Sequence, residues 1–256
     1  MDVFSGGLEP WAAVLAVAVT LFAGVVKGAV GFAMPMIMIS AFGSFMPAQT
    51  ALAALILPTL VTNVSQAFRQ GWRPARDSVC SYWRMIALIT VFIVISAQFV
   101  VAIPQAVLFV LLGVPIVFFA VSQLLGHMLR FRVVNRGRAE VITGIIGGLY
   151  GGISGVWGPP VLVLLLSLGA EKREMVRVQG VVFLIGAIVL MFAHLQSGVL
   201  NAVTVPLSAM LILPAMAGMW LGYQVQDRLN PDRFRRWTLV ILAITGLNLL
   251  RRAVMG

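Results

Sequence analysis

Long apolar runs recur along the whole of this 256-residue chain, and they constrain its fold more than any other feature. Hydrophobic residues make up 61% of the sequence and charged residues only 10%, and the mean hydropathy is +1.02. A soluble domain of this size needs far more polar surface, whereas a transmembrane helix needs about 20 mostly apolar residues. The sequence therefore predicts an all-α, polytopic membrane protein.

Two of the apolar segments are too short to cross a bilayer as a single helix of about 20 residues. The segments run over residues 11–27, 33–47, 48–68, 84–102, 104–126, 139–155, 158–169, 177–195, 203–224 and 237–250. The short ones, 33–47 and 158–169, each follow a glycine-rich stretch and begin near a proline. Because glycine and proline end or kink helices, we predict a broken helix or hairpin at both places.

The two glycine-rich breaks resemble each other. One extends from Gly24 to Pro35 and the other from Gly148 to Pro159, and a shift of 124 residues superimposes three glycines and the proline without a gap. Broken segments at matching places in two halves point to the binding site of a transporter. Tight helix packing through the GxxxG spacing of the same glycines is the alternative interpretation.

The self-match divides the chain into two homologous halves. We predict a first transmembrane repeat at 1–126, a basic linker at 127–138 and a second transmembrane repeat at 139–256. In each half, one short apolar segment and then longer ones follow the break.

Basic residues are concentrated in alternate loops. These loops hold Arg69, Arg73, Arg76 and Arg84; Arg130, Arg132, Arg136 and Arg138; Lys172, Arg173 and Arg177; Arg228, Arg233, Arg235 and Arg236. The positive-inside rule makes these loops cytoplasmic. The first hairpin then enters the membrane from the external face and returns to that face, and the second enters from the cytoplasmic face and returns to it. This predicts inverted-topology repeats in the cell inner membrane with an external N-terminus, and leaves Arg251 and Arg252 outside as a minor exception.

The net charge of +10 fits contact with anionic lipid headgroups better than contact with nucleic acid. Cys80 is the single cysteine, and the two histidines, His127 and His194, lie in different segments. We therefore expect no metal site, no disulfide within the chain and no cofactor.

Lys27 is the one basic residue with apolar spans on both sides, and the acidic residues all lie in loops or at segment ends. An ionisable group inside a membrane is a candidate functional residue. Its charge, together with backbone N–H groups at the helix starts after Gly31 and Gly155, favours an anionic substrate. The alternative is that Lys27 extends its ammonium group to the outer interface.

Other polar and aromatic residues complete the predicted binding site. Thr59, Asn63 and Gln66 share one helix face by spacing. The full set of predicted substrate-binding residues is Lys27, Gly28, Gly31, Phe32, Asn63, Gln66, Gly152, Ser154, Gly155, Trp157 and Gln179. Hydrogen bonds between helices are the alternative role for the polar members, and an interfacial or core position is the alternative for the two aromatic rings.

The whole chain resembles the sulfite exporter TauE/SafE family, also called the toluene sulfonate uptake permease family. The resemblance rests on Gly28, Gly31 and Pro35 in the first half and on the run from Gly151 to Pro160 in the second. It implies transport of sulfite, sulfonates or related sulfur compounds. Lys27 and Met34 stand where the second half has Gly151 and Gly158, so the first motif departs from the glycine-rich form.

These observations favour a permease for a small sulfur-containing anion, such as an organosulfonate or sulfite, bound at the midplane between the two repeats. The alternatives are a membrane-embedded lipid-modifying enzyme and a non-catalytic membrane subunit. Membrane-embedded lipid-modifying enzymes usually carry clusters of acidic residues or histidines, and the apolar segments of this chain lack such clusters. The sequence predicts a small anion and the lipid bilayer as partners, and it does not define an oligomeric state.

Overall fold

The computed structural model describes residues 8–126, 131–225 and 231–255, and all regular structure within those ranges is helical. The helices are α1 (Pro10–Val30), α2 (Met34–Phe42), α3 (Ala48–Phe68), α4 (Trp72–Ser81), α5 (Trp83–Ala97), α6 (Gln105–Leu124), α7 (Arg136–Ser154), α8 (Gly158–Ser167), α9 (Lys172–Gln196), α10 (Thr204–Met210), α11 (Ile212–Val225) and α12 (Pro231–Met255). Within the described residues, six spans are long and apolar enough to cross a membrane, or seven if the bent pair α4–α5 counts as one. The all-α, polytopic prediction is confirmed.

Parts of the predicted topology lie outside the described residues. They are the first residues of the chain, predicted to be external, and positions 127–130 and 226–230, which include Arg130 and Arg228.

Both predicted breaks are present. Helix α1 ends at Val30 because Gly31 adopts the left-handed conformation, with φ of 85°, and α7 ends before Gly155, with φ of 70°. The next helices, α2 and α8, each carry a proline in the first turn, where no backbone N–H is needed. They are 9 and 10 residues long, which is about 15 Å or half the hydrocarbon thickness.

The prediction of a loop throughout the stretch between segments 48–68 and 84–102 is wrong. Helix α4 occupies most of it and is bent by 79° from α5. Its apolar residues Trp72, Ala75 and Val79 share one face, while Arg73 and Arg76 separate them in the sequence. The predicted segment 203–224 is a span made of two helices, α10 and α11, which meet at Leu211. Pro214 cannot donate to the carbonyl group four residues before it, so the helix is interrupted there.

The most extensive helix contacts each join the first half of the chain to the second. They are α1 with α11, α5 with α7, α3 with α9 and α6 with α12. Glycines allow the first two pairs to approach closely: a Cβ atom on Gly24 would lie 2.5 Å from the carbonyl oxygen of Ala215, and one on Gly148 would lie 2.6 Å from Cβ of Phe92. The glycines of the two breaks therefore serve helix packing as well as helix termination.

Contacts between helix ends show how the two hairpins are oriented in the bundle. At the end where α3 finishes and α9 begins, which we call the basic end, Gln70 Nε2 donates to the carbonyl oxygen of Arg173 at 3.0 Å. Arg136 at the start of α7 also donates to a backbone oxygen there, that of Ser81. At the opposite end, the ring of Trp11 on α1 lies 6.1 Å from that of Phe45, just before α3. The hairpin α1–α2 thus starts at one end and α7–α8 at the other, an arrangement that favours the inverted-repeat prediction.

Candidate functional site

A small cavity lies between the two breaks. Its lining comes from the first break, from the second break and from two longer helices: Phe32, Ala33, Pro35 and Met36; residues 155–158; and Thr59 on α3 with Phe183 on α9. Thr59 lies near the middle of α3, so the cavity lies in the interior of the bundle. Its volume is about 20 Å³, which is room for about one water molecule.

The first break contains an unusual backbone conformation. Ala33 has φ of 77°, and within the described residues it is the one non-glycine residue with positive φ. A side chain with a Cβ atom rarely adopts this conformation, and such residues concentrate at functional sites. Ala33 directly precedes α2 and lines the cavity.

Lys27 lies in the last turn of α1 and only 2% of it is exposed, and it is not among the residues that line the cavity. Its Nζ donates to Thr62 Oγ1 at 2.8 Å and to Asn63 Oδ1, both on α3. The ammonium group has three hydrogens, so one has no partner within the described part of the chain. Lys27 does not reach an interface, and its described partners are neutral.

Gln66 connects the first break to the second half of the chain. Its Nε2 donates to the carbonyl oxygen of Gly31 at 2.8 Å and to that of Val176, on α9, at 3.3 Å. The left-handed end of α1 is therefore held against both α3 and α9.

Several buried polar atoms around the two breaks have no hydrogen-bond partner among the described residues. They are Thr59 Oγ1, Asn63 Nδ2, Gln66 Oε1 and Trp157 Nε1. Buried polar atoms in proteins are usually paired, and an unpaired one costs about 1–3 kcal/mol. Thr59 and Trp157 line the cavity, so two of these unpaired atoms belong to side chains that a small ligand could contact.

Among the described residues, the second half has no counterpart of the Lys27 cluster. The 124-residue shift places Gly151 at the position of Lys27 and Gly186 at that of Thr62. The indole of Trp157 occupies this space: Cβ atoms on Gly151 and Gly186 would lie 2.8 and 2.6 Å from its ring atoms. The ring also packs edge-on against Phe183. The first half thus carries a charged group at the position where an aromatic ring fills the space in the second half.

Ser154 and His194 stabilise the second break. Ser154 Oγ accepts from the N–H of Val156 at 3.0 Å and donates to the carbonyl oxygen of Tyr150 at 2.7 Å. His194, fully buried on α9, has its Nε2 2.9 Å from the carbonyl oxygen of Gly152. His194 and Thr62 are not among the site residues predicted from the sequence, although Thr62 lies three residues after Thr59 and four before Gln66 and so shares their helix face.

The helix starts at the cavity offer few backbone N–H donors, contrary to the prediction that these groups help to bind an anion. Pro35 lies in the first turn of α2, and Pro159 and Pro160 follow Gly158 in α8. Proline has no N–H, so Gly158 is the one N–H donor among the first three residues of α8. Recognition of an anion here would depend mainly on side chains.

The structure brings together some of the predicted site residues and separates others. Phe32, Gly155 and Trp157 line the cavity, and Lys27, Gly31, Asn63 and Gln66 form the adjoining polar cluster. Cβ atoms on Gly28 and Gly152 would meet the backbones of α11 and α5, so these glycines face helix contacts. Gln179 is buried on α9 and is not among the residues that line the cavity. The binding roles of all these residues stay predictions.

Comparison with known families gives one match that spans most of the chain. The family model described as Sulfite exporter TauE/SafE matches residues 16–249. Comparisons with curated proteins and with solved structures gave no significant match. The match includes both breaks, the polar cluster on α3 and the four cross-half helix pairs, and the chain therefore belongs to the sulfite exporter TauE/SafE family.

Proposed function

We propose that this membrane protein transports a small sulfur-containing anion, an organosulfonate or sulfite, through the cavity between the two breaks. Lys27 is the observation that carries the proposal. It is buried, and its described hydrogen-bond partners, Thr62 and Asn63, are neutral. A buried charge without a counter-ion is costly, and an anionic substrate would supply the missing negative charge.

The small cavity volume supports a transport cycle with a closed state. Room for about one water molecule is too little for a sulfonate or sulfite ion. The substrate would enter when the breaks move apart, and the movement of one half against the other would expose the site alternately to each side. Gly31 and Ala33, with their positive φ angles, are the positions where the backbone direction changes.

A second, apolar cavity favours a substrate with a hydrophobic part. It has a volume of about 420 Å³ and lies between α6, α7 and α8. Met36 lines both this cavity and the central one, so the two adjoin. An organosulfonate with its charged group near Thr59 could place its apolar part beyond Met36, whereas sulfite has no such part.

Transport into proteoliposomes by variants of Lys27 tests the role of the charge. Lys27→Ala should reduce uptake of radiolabelled sulfite or arylsulfonate more than about tenfold, because a hydrogen bond to a charged group contributes about 1.5–3 kcal/mol. Lys27→Arg should retain part of the activity, and Lys27→Glu should have the least because it repels the substrate. Arg132→Ala, a loss of charge at an exposed position, is the control and should transport normally. Wild-type transport by Lys27→Glu, at matched protein amounts, would refute the proposal.

Competition between substrates tests the role of the apolar cavity. Sulfite, methanesulfonate and benzenesulfonate are added in turn to proteoliposomes taking up labelled substrate. We expect benzenesulfonate to compete best, because only its ring can fill the space beyond Met36. Stronger competition by sulfite would assign the apolar cavity to another role and leave the role of Lys27 intact.

A further inference from the structure

A groove away from the two breaks lies under helix α4 at the basic end of the bundle. Its volume is about 390 Å³, within the range of small-molecule sites. Phe68 at the end of α3, Trp72 and Val79 on α4, and Val181 and Leu184 on α9 form its apolar wall. Arg76 is its charged lining residue.

The position of α4 indicates that the groove lies at the membrane interface. Helix α3 is a candidate span and ends at Phe68, and α4 begins four residues later and is bent by 79° from α5. Trp72 is 68% exposed and stacks on Phe68, with ring centroids 5.4 Å apart. A short amphipathic helix with an exposed tryptophan at the end of a span is typical of the headgroup region.

Helix α4 contacts the rest of the bundle mainly through α9. Ala75 packs with Ala67 and Val181 in a small apolar cluster separate from the main core. Arg177 on α9 donates to Ser78 Oγ at 3.0 Å. The rest of the apolar face of α4 opens onto the groove, so its exposed side chains are accessible to a lipid in the bilayer.

We propose that this groove binds one anionic phospholipid, with an acyl chain against Phe68, Val181 and Leu184 and the headgroup phosphate at Arg76. The apolar wall matches an acyl chain, and the exposed guanidinium at its edge matches a phosphate by charge and geometry. Asp77, on the same helix, is not among the residues that line the groove. The bound lipid would hold α4 against α9 and so connect the lipid composition of the membrane to a helix that lines the central cavity.

Native mass spectrometry of the purified protein, titrated with dioleoyl phosphatidylglycerol or dioleoyl phosphatidylcholine, tests this site without reference to transport. The wild type should bind one phosphatidylglycerol about tenfold more tightly than phosphatidylcholine. Arg76→Gln should remove this preference. Arg73→Gln, which removes the same charge from the same helix but lies outside the groove, should keep it.

A change in the apolar wall tests whether the lipid enters the groove. Leu184→Trp should fill the space and weaken binding of both lipids at this site, while thermal unfolding shows that the variant is folded. Equal effects of Arg76→Gln and Arg73→Gln would indicate diffuse attraction to a charged surface and overturn the proposal. Equal affinity of the wild type for the two lipids, or wild-type binding by folded Leu184→Trp, would also overturn it.

Discussion

At the scale of single residues, the site is defined by polar groups that the fold leaves without partners. A threonine hydroxyl in a helix commonly donates to the carbonyl four residues earlier, as Thr20 does to Ala16 at 2.7 Å. The buried hydroxyl of Thr59 has no partner among the described residues and lines the cavity. An unpaired buried hydroxyl lowers stability, so its presence favours a role in contact with a ligand.

Replacing Thr59 by valine should separate binding from stability. Valine has nearly the same shape, and the hydroxyl that it removes makes no described hydrogen bond. We expect the free energy of unfolding to stay the same or to rise, while affinity for the anion falls about tenfold through loss of a hydrogen bond to a charged group. Tryptophan fluorescence titration and thermal unfolding in detergent would measure the two effects.

Thr20→Val is the matched control for Thr59→Val. Thr20 is equally buried, but its hydroxyl is already paired with Ala16 on the same helix. We expect this variant to lose about 1 kcal/mol of stability and to keep its affinity for the anion. Wild-type affinity in Thr59→Val would show that the hydroxyl does not contact the substrate.

At the scale of helices, glycine packing on α1 determines where Lys27 points. Gly24 and Gly28 face α11, where Cβ atoms on either residue would collide with its backbone. Lys27 is one position before Gly28, which rotates it by about 100° around the helix toward Thr62 and Asn63 on α3. The glycines thus need not touch the substrate to matter for the site, since they fix the helix that carries the charge.

Two adjacent glycines in α7 provide a direct test of close helix packing. Gly148→Ala should lower the free energy of unfolding by about 1–3 kcal/mol, because its new Cβ would lie 2.6 Å from Cβ of Phe92 and 2.8 Å from the carbonyl oxygen of Ile89. Gly147→Ala should be neutral or stabilising, because its nearest neighbours would be 3.7 Å away and alanine favours helix. Thermal unfolding in detergent compares the two variants, and equal destabilisation would contradict the packing described for α5 and α7.

At the scale of the whole molecule, the two halves are interwoven rather than side by side. Helix α1 packs on α11 and α7 packs on α5, so the broken helix of each half lies against a helix of the other. The pairs α3–α9 and α6–α12 join equivalent elements. This exchange of contacts is what a two-fold relation between the halves would produce, and it brings the two breaks to one cavity.

The sequence predicts the local features of this fold better than its contacts. Gly31 and Gly155 are identified as break points because glycine tolerates positive φ and a proline follows at the same distance in both halves. Helix α4 is missed because arginines interrupt its short apolar pattern. The contact of Trp157 with Gly151 and Gly186 could not be predicted, because it depends on which helices pack together. Apolar membrane helices have similar sequence patterns, so the sequence does not identify the partner of each helix.

The inverted-repeat prediction can be tested at one pair of equivalent residues. Pro47 and Glu171 are 124 positions apart, both are exposed, and each directly precedes the first residue of its helix, α3 or α9. In a Cys80→Ser background, Pro47→Cys should react with a membrane-impermeant maleimide from outside intact cells, and Glu171→Cys only in inside-out vesicles. Arg132→Cys and Asn201→Cys, at exposed positions predicted to be internal and external, calibrate the two preparations. Repeats of the same orientation would place both test residues on one side of the membrane. Labelling of Pro47→Cys and Glu171→Cys from the same side would therefore refute the inverted topology. Labelling of Pro47→Cys from the inside and Glu171→Cys from the outside would keep the inverted repeats and reverse the orientation assigned from the basic loops.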